Sequence, residues 1–155
     1  MRWTIDGSAV NRIAEESGNY NAAFAAMTDL VTDGELTFCT EVCDELERTA
    51  ENEPGAVWAN AIKGQRQHKG ASMTTLAWVI RNVGRVSDPE ARYDAMPYVV
   101  SQARQLHVDH NNLAVVTEDV LDKPTRRSLA DVCDELHIPW MRVPDWMNAR
   151  GVEWP

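Results

Sequence analysis

The spacing of hydrophobic and polar positions along the chain switches repeatedly between short apolar runs and the three-to-four period of helices. Trp3-Thr4-Ile5 is short, apolar and β-prone, and it runs into a turn at Asp6-Gly7-Ser8 with Ser8 as a candidate helix N-cap. From Asn21 to Val31, Phe24, Met27, Leu30 and Val31 recur at helical spacing until Asp33-Gly34 stops the pattern. Leu36–Cys39 reads as a second strand. Thr40 then caps a helix from Glu41 to about Ala50 whose apolar side carries Val42, Cys43 and Leu46. Further helices are expected over Ala56–Ile62 and Thr74–Val83, with a polar loop over Lys63–Ser72 between them. The buried stripe of the second is Leu76, Trp78, Val79, Ile80 and Val83. A helix from Met96 or Pro97 to Leu106 precedes the Asn111-Asn112 break and the most apolar strand, Leu113–Thr117. Lys123-Pro124 marks a loop and Ser128–Leu136 a helix. Ile138–Val143 is a last short strand, weakened by Pro139, before a helical turn over Asp145–Ala149 closed by Gly151.

Short strands alternating with helices predict an α/β domain around a largely parallel sheet. With 155 residues, no internal repeat and no linker composition, residues 1–155 read as a single domain. A hydrophobic fraction of 44% and a charged fraction of 25% exclude a disordered chain. No apolar run approaches the ~20 residues that cross a bilayer. Asp6 falls where a secretory leader would need its apolar centre, so the expected location is cytoplasmic, with no membrane partner. Cys39, Cys43 and Cys133 form no CxxC pair and read as reduced thiols, with Cys39 and Cys43 as small buried residues.

Charge changes this picture through its distribution. The chain carries 15 basic and 24 acidic side chains, a net of −9, which taken alone opposes broad binding to nucleic acid. Residues 1–53 hold 3 basic against 12 acidic side chains, and residues 88–155 hold 7 against 12. Residues 54–87 hold Lys63, Arg66, Lys69, Arg81 and Arg85 and no acid. A polyanion such as RNA would therefore meet these five cations, although an acid-free stretch is also what a solvated helical face with its loop looks like.

In an open parallel sheet, ligands bind beyond the carboxyl ends of the strands. Two predicted strands end there in acids, Ile5 before Asp6 and Val116-Thr117 before Glu118-Asp119, and Glu45 on the helix after the second strand can face the same edge. Carboxylates gathered in this way repel one another unless a cation neutralises them, and hard oxygen ligands select Mg²⁺ or Mn²⁺. Aspartate is also an ordinary turn and cap residue, so the spacing leaves both readings open. His107, Asp109 and His110 lack a third histidine or cysteine at ligand spacing. A haloacid-dehalogenase-type site would need a second aspartate at position 8, which is serine, and a receiver-type site lacks its central aspartate and late lysine.

At these residues the chain resembles a known family. Trp3-Thr-Ile-Asp6-Gly-Ser-Ala-Val is similar to the opening strand of PIN-domain ribonucleases. Phe38-Cys-Thr-Glu-Val-Cys-Asp-Glu45-Leu-Glu resembles their second motif, and Leu113-Ala-Val-Val-Thr117-Glu118-Asp119 their fourth strand. Ala130-Asp-Val-Cys-Asp-Glu-Leu-His-Ile-Pro is similar to the closing helix of an uncharacterised bacterial PIN-like subfamily. The resemblance implies a three-layer α/β/α fold with a central, mostly parallel sheet and a metal-dependent endoribonuclease centre. Asp6, Glu45 and Asp119 match family acids, with Glu118 as an additional Mg²⁺ or Mn²⁺ ligand. The family's remaining acid aligns with Met96, and Asp94, two residues upstream, is its candidate substitute. Ser8 and Thr117 would hold the carboxylates by hydrogen bonds. The resemblance further implies an RNA substrate, the toxin role of a toxin–antitoxin pair, an antitoxin that places an arginine in the acidic cleft, and homodimers. The alternative is a PIN-fold module whose centre has decayed at Met96 and which binds RNA or protein without cutting.

Overall fold

The computed structural model describes residues 1–91, 93–151 and 154. Strand β1 (Arg2–Ile5) lies between β2 (Leu36–Thr37) and β3 (Leu113–Val116), and β4 (Trp140–Met141) pairs on the far side of β3. The sheet order is β2-β1-β3-β4 and every pairing is parallel, with Trp3 opposite Leu36 and Ala114 and Ile5 opposite Val116. Parallel neighbours need crossover connections, and helices supply them. Helices α1 (Gly7–Glu16) and α2 (Tyr20–Thr32) join β1 to β2. Helices α3 (Thr40–Thr49), α4 (Pro54–Ile62), α5 (Met73–Asn82) and α6 (Met96–His110) join β2 to β3. Helix α7 (Leu129–Glu135) joins β3 to β4, and α8 (Val143–Ala149) follows.

The pleat of β1 sorts these helices into layers. Trp3 meets Trp146 of α8 edge to face, with ring centroids 6.2 Å apart, and α8 packs on α1. Thr4, one residue on, turns to the opposite face and donates to Gln102 Oε1 of α6 at 2.6 Å; α7 packs on α6. The result is a three-layer α/β/α domain. Covered on both faces, β3 is buried at all four positions, which is why Leu113–Val116 reads as a continuous apolar run.

The edge strand β2 is screened by the segment after α4. Arg66 donates to Phe38 O and Lys63 O, while His68 O accepts from both Thr37 and Gln102, so the exposed edge is closed by the chain itself. Among the described residues no helix is long and apolar enough to cross a membrane.

Several expected boundaries move. Asp6, not Ser8, is the N-cap of α1, because its carboxylate accepts from Ala9 N–H at 3.0 Å. Thr40 is the first residue of α3 rather than its cap, and Cys39 takes the cap position without a side-chain bond. The strand expected to run to Cys39 stops at Thr37, and the one expected over Ile138–Val143 keeps only Trp140–Met141, since Pro139 offers no N–H to the ladder. Its carbonyl still accepts from Val115 N–H at 2.8 Å. The stripe of α5 is only partly buried: Val79 and Val83 go inward, whereas Ile80 is 61% exposed. That helix packs chiefly on α6, and Trp78, half-buried against the edge of the core, is also covered by the Arg104 guanidinium.

The connection leaving β1 runs toward β2, and the one leaving β3 runs toward β4. Strand order therefore reverses between β1 and β3, and a crevice opens beyond their carboxyl ends.

Candidate active site

Asp6 sits at that crevice because it ends β1, and a helix must start there for the chain to cross to β2. The residue is 8% exposed, and its carboxylate accepts three hydrogen bonds: from Ser8 Oγ at 2.7 Å, Ala9 N at 3.0 Å and Thr117 Oγ1 at 2.7 Å. Burial outweighs these bonds and the neighbouring Asp119 adds to it, so the Asp6 carboxyl is raised to about 6. Thr117 and Ser8 also receive the backbone N–H groups of Asp119 and Glu118 at 3.0 Å each. The two hydroxyls thereby tie the end of β3 to the start of α1.

Glu45 reaches the crevice from the second turn of α3, and its Oε2 accepts from Ala95 N–H at 2.9 Å. Burial raises its carboxyl, and Asp94 pushes in the same direction. Gly7 leaves room for this approach, since a Cβ there would stand 3.1 Å from Glu45 Oε1. Asp94 binds the start of α6, its Oδ1 accepting from Met96 N at 3.0 Å and its Oδ2 from Asp88 N at 2.9 Å. Asp119 lies three residues beyond the end of β3. Asp6, Glu45, Asp94 and Asp119 together line a recess of about 30 Å³, room for a water molecule or two.

Arg126, from the loop between β3 and α7, enters the same recess. Its Nη1 stands 2.7 Å from Asp119 Oδ2 and donates to Arg127 O at 2.7 Å and to the Met96 sulfur at 3.0 Å; its Nε lies 3.5 Å from Asp94 Oδ2. The residue is 9% exposed. Sequence reasoning passed over Arg126. The signal available was its place in a loop leaving the carboxyl edge, seven positions after Asp119.

The carboxylates supply the hard oxygen donors that Mg²⁺ or Mn²⁺ takes, and in donor chemistry they fit such an ion. Their arrangement is different, since the guanidinium stands among them. Among the described residues, no group of three or more His, Cys, Asp or Glu side chains is placed to hold a metal ion.

Glu118 does not join the recess. Its carboxylate pairs with Arg12 Nη1 at 2.7 Å and Arg142 Nε at 2.9 Å and accepts from Val143 N–H at 2.9 Å. Although burial opposes it, these partners hold the Glu118 carboxyl below its usual range. It faces instead a wider cleft of about 520 Å³ above the recess, where Lys123, Arg126 and Arg142 supply positive charge beside Asp6, Glu45 and Asp119.

The acid-free stretch lies elsewhere. Arg66 is not directed at a phosphate, because it is buried and donates to Phe38 O, Lys63 O and Thr40 Oγ1. Lys63, Lys69 and Arg81 are exposed, and none lines the recess or the cleft above it. Arg85 comes nearest: it lines a neighbouring groove with Asp94 and donates through Nη2 to Lys123 O and Pro124 O at 3.2 Å each. Among the described residues, the cations at the cleft are thus Lys123 and Arg142, together with Arg126.

With this geometry in place, comparison with protein families is informative: residues 8–154 match the family described as domain of unknown function DUF4411. The chain belongs to the DUF4411 family. The DUF4411 match takes in Glu45, Asp94, Asp119 and Arg126 and begins just after Asp6. No curated protein matches the chain.

Proposed function

We propose that this DUF4411 protein is a metal-dependent endoribonuclease. The observation that carries the reading is the meeting of Asp6, Glu45, Asp94 and Asp119, drawn from four separate segments, in one recess at the switch point of a parallel sheet. The resemblance of the Asp6, Glu45 and Asp119 motifs to PIN-domain ribonucleases supports it. A Mg²⁺ or Mn²⁺ ion held by these carboxylates would supply an acidified water and neutralise charge developing on a phosphodiester.

The rest falls to the chain. Ser8 and Thr117 fix both oxygens of Asp6, so its carboxylate is oriented before anything binds. Gly7 keeps the floor between Asp6 and Glu45 open. Lys123 and Arg142 on the rim meet the substrate backbone, while the net −9 charge of the whole chain disfavours indiscriminate binding. The toxin role of a toxin–antitoxin pair, with an antitoxin partner, homodimers and a cytoplasmic location, belongs to the same reading.

The test is cleavage of a mixed RNA substrate with Mn²⁺, using wild type, Asp6→Asn and Asp94→Asn, with an EDTA control. Metal-dependent cutting that falls on the order of 100-fold or more in both variants is the expected result. Loss in Asp6→Asn alone would leave a three-acid site. A second reading, a PIN-fold module that binds RNA or protein without cutting, is favoured by Met96 at the position of the family's fourth acid. Absence of cutting by folded wild type, together with no thermal shift from Mn²⁺, would sink the nuclease reading and leave the binding module.

A further inference from the structure

Among the described residues lining the recess Arg126 is the one basic side chain, and it stands between carboxylates that a divalent ion would need. It bridges two of the four carboxylates from opposite walls: Asp119 at the end of β3 and Asp94 ahead of α6. A third contact, to the Met96 sulfur, fills the position where an acid was expected from sequence. The guanidinium thus offsets the charge of Asp94 and Asp119 from within the recess.

The loop that delivers it is independently braced. Lys123 N–H donates to Arg126 O at 2.9 Å and Ser128 N–H to Asp122 Oδ1 at 2.8 Å, closing a turn around the arginine. Arg85 clamps that turn from outside through Lys123 O and Pro124 O, and its own carbonyl accepts from Arg127 N–H at 3.1 Å. Two cations cannot share a recess of about 30 Å³, and like charges within a few ångströms repel strongly where water is excluded.

We propose that Arg126 is a built-in plug of the carboxylate recess, mutually exclusive with the divalent cation, so that the β3–α7 loop must carry its guanidinium out before the site can load. The inference rests on the reading of the recess as a metal site. It names a device that holds this site closed in cis and makes the loop clamped by Arg85 the element that opens it. Anything that competes for Arg126 or Lys123, such as the phosphate backbone of bound RNA, would favour the open state.

The experiment is Mn²⁺ titration by calorimetry, read alongside thermal shift, on wild type, Arg126→Gln, Arg85→Ala and Asp6→Asn, with circular dichroism as the folding check. The expected result is that Arg126→Gln binds Mn²⁺ on the order of tenfold or more tightly than wild type. Arg85→Ala, which loosens the loop and touches no carboxylate, moves affinity in the same direction by a smaller factor. Asp6→Asn binds more weakly than wild type. Equal or weaker binding by folded Arg126→Gln, with wild-type binding that Asp6→Asn removes, overturns the plug and leaves the metal site standing. No binding by any of the four proteins removes the metal site and the plug with it. Should Arg126→Gln fail to fold, Arg85→Ala decides alone: tighter binding supports the plug, and unchanged binding overturns it.

Discussion

Thr117 Oγ1 donates to Asp6 Oδ2 at 2.7 Å across 111 positions of sequence, joining the ends of the two central strands through one carboxylate. The bond is possible because β1 and β3 are parallel neighbours in register, with Ile5 opposite Val116, so that the residues following each strand emerge side by side. It restrains an anion that burial disfavours, and that conflict makes Asp6 the most informative position for measurement.

The folded-state Asp6 carboxyl at about 6 lies above its ordinary value of 3.8. Between those values the folded chain keeps a proton that the unfolded chain releases, so this group's contribution to stability falls as pH rises from about 4 to 6 and stays low above it. Asp6→Asn removes the charge while keeping the cap, and the Thr117 hydroxyl can turn to accept from the new amide. The variant is expected to be more stable than wild type at pH 7.5, by up to about 3 kcal/mol, with the gain shrinking toward pH 4. Urea denaturation at a series of pH values checks it; a gain independent of pH would refute the assignment.

Gly7→Ala separates stability from site geometry. Alanine at the start of α1 gains about 0.5–1 kcal/mol of backbone preference, while its Cβ, 3.1 Å from Glu45 Oε1, displaces the carboxylate that accepts from Ala95 N–H by a few tenths of an ångström. The expected outcome is a melting temperature close to wild type with Mn²⁺-dependent cleavage reduced about tenfold or more. Unchanged cleavage would mean that the position of Glu45 does not matter to the reaction.

Two cations should part company when mutated. Arg66→Ala strips partners from Phe38 O and Lys63 O and removes a guanidinium lying over the Phe38 ring, costing about 2 kcal/mol or more of stability. Lys123→Gln leaves stability unchanged, weakens RNA binding severalfold, and lowers the salt dependence by about one counterion. Chemical denaturation paired with RNA titrations over a salt series distinguishes them.

Glu118→Gln probes a strut. Held below the usual carboxylate range against burial, ionised Glu118 contributes stability that is present at neutral pH and lost as pH falls through its lowered value. The variant should cost about 1 kcal/mol at pH 7, less at pH 3, and leave Mn²⁺ affinity unchanged. A fall in Mn²⁺ affinity like that of Asp6→Asn would return Glu118 to the ligand set.

The parts legible from sequence are those set by local periodicity. The apolar run Leu113–Val116 is a strand buried on both faces, and the Phe24, Met27, Leu30 and Val31 spacing is the inner face of α2. Asp6 and Asp119 stand out because each comes after a central strand at the sheet's carboxyl edge, whereas Glu45, one of several acids within α3, stands out only by its place in the motif. Ile80 and Arg66 were misjudged for the same physical reason. Helical spacing says which residues share a side, but not whether another element arrives to cover that side. A basic residue in a polar loop gives no sign that its guanidinium turns inward to backbone carbonyls.

By itself, then, the sequence determined the alternation of elements, the parallel α/β class and the acids that terminate its central strands, because backbone preference and hydrophobic period are local properties. Only the tertiary structure decided which charges meet. Glu118 and Asp119 are adjacent in the chain, yet one braces Arg12 and Arg142 while the other faces Arg126 in the recess. Arg126, Met96 and Asp94 come together solely through the packing of the β3–α7 loop against the start of α6. Electrostatic and hydrogen-bonded contacts depend on distances of a few ångströms between segments tens of residues apart, and no local pattern encodes them.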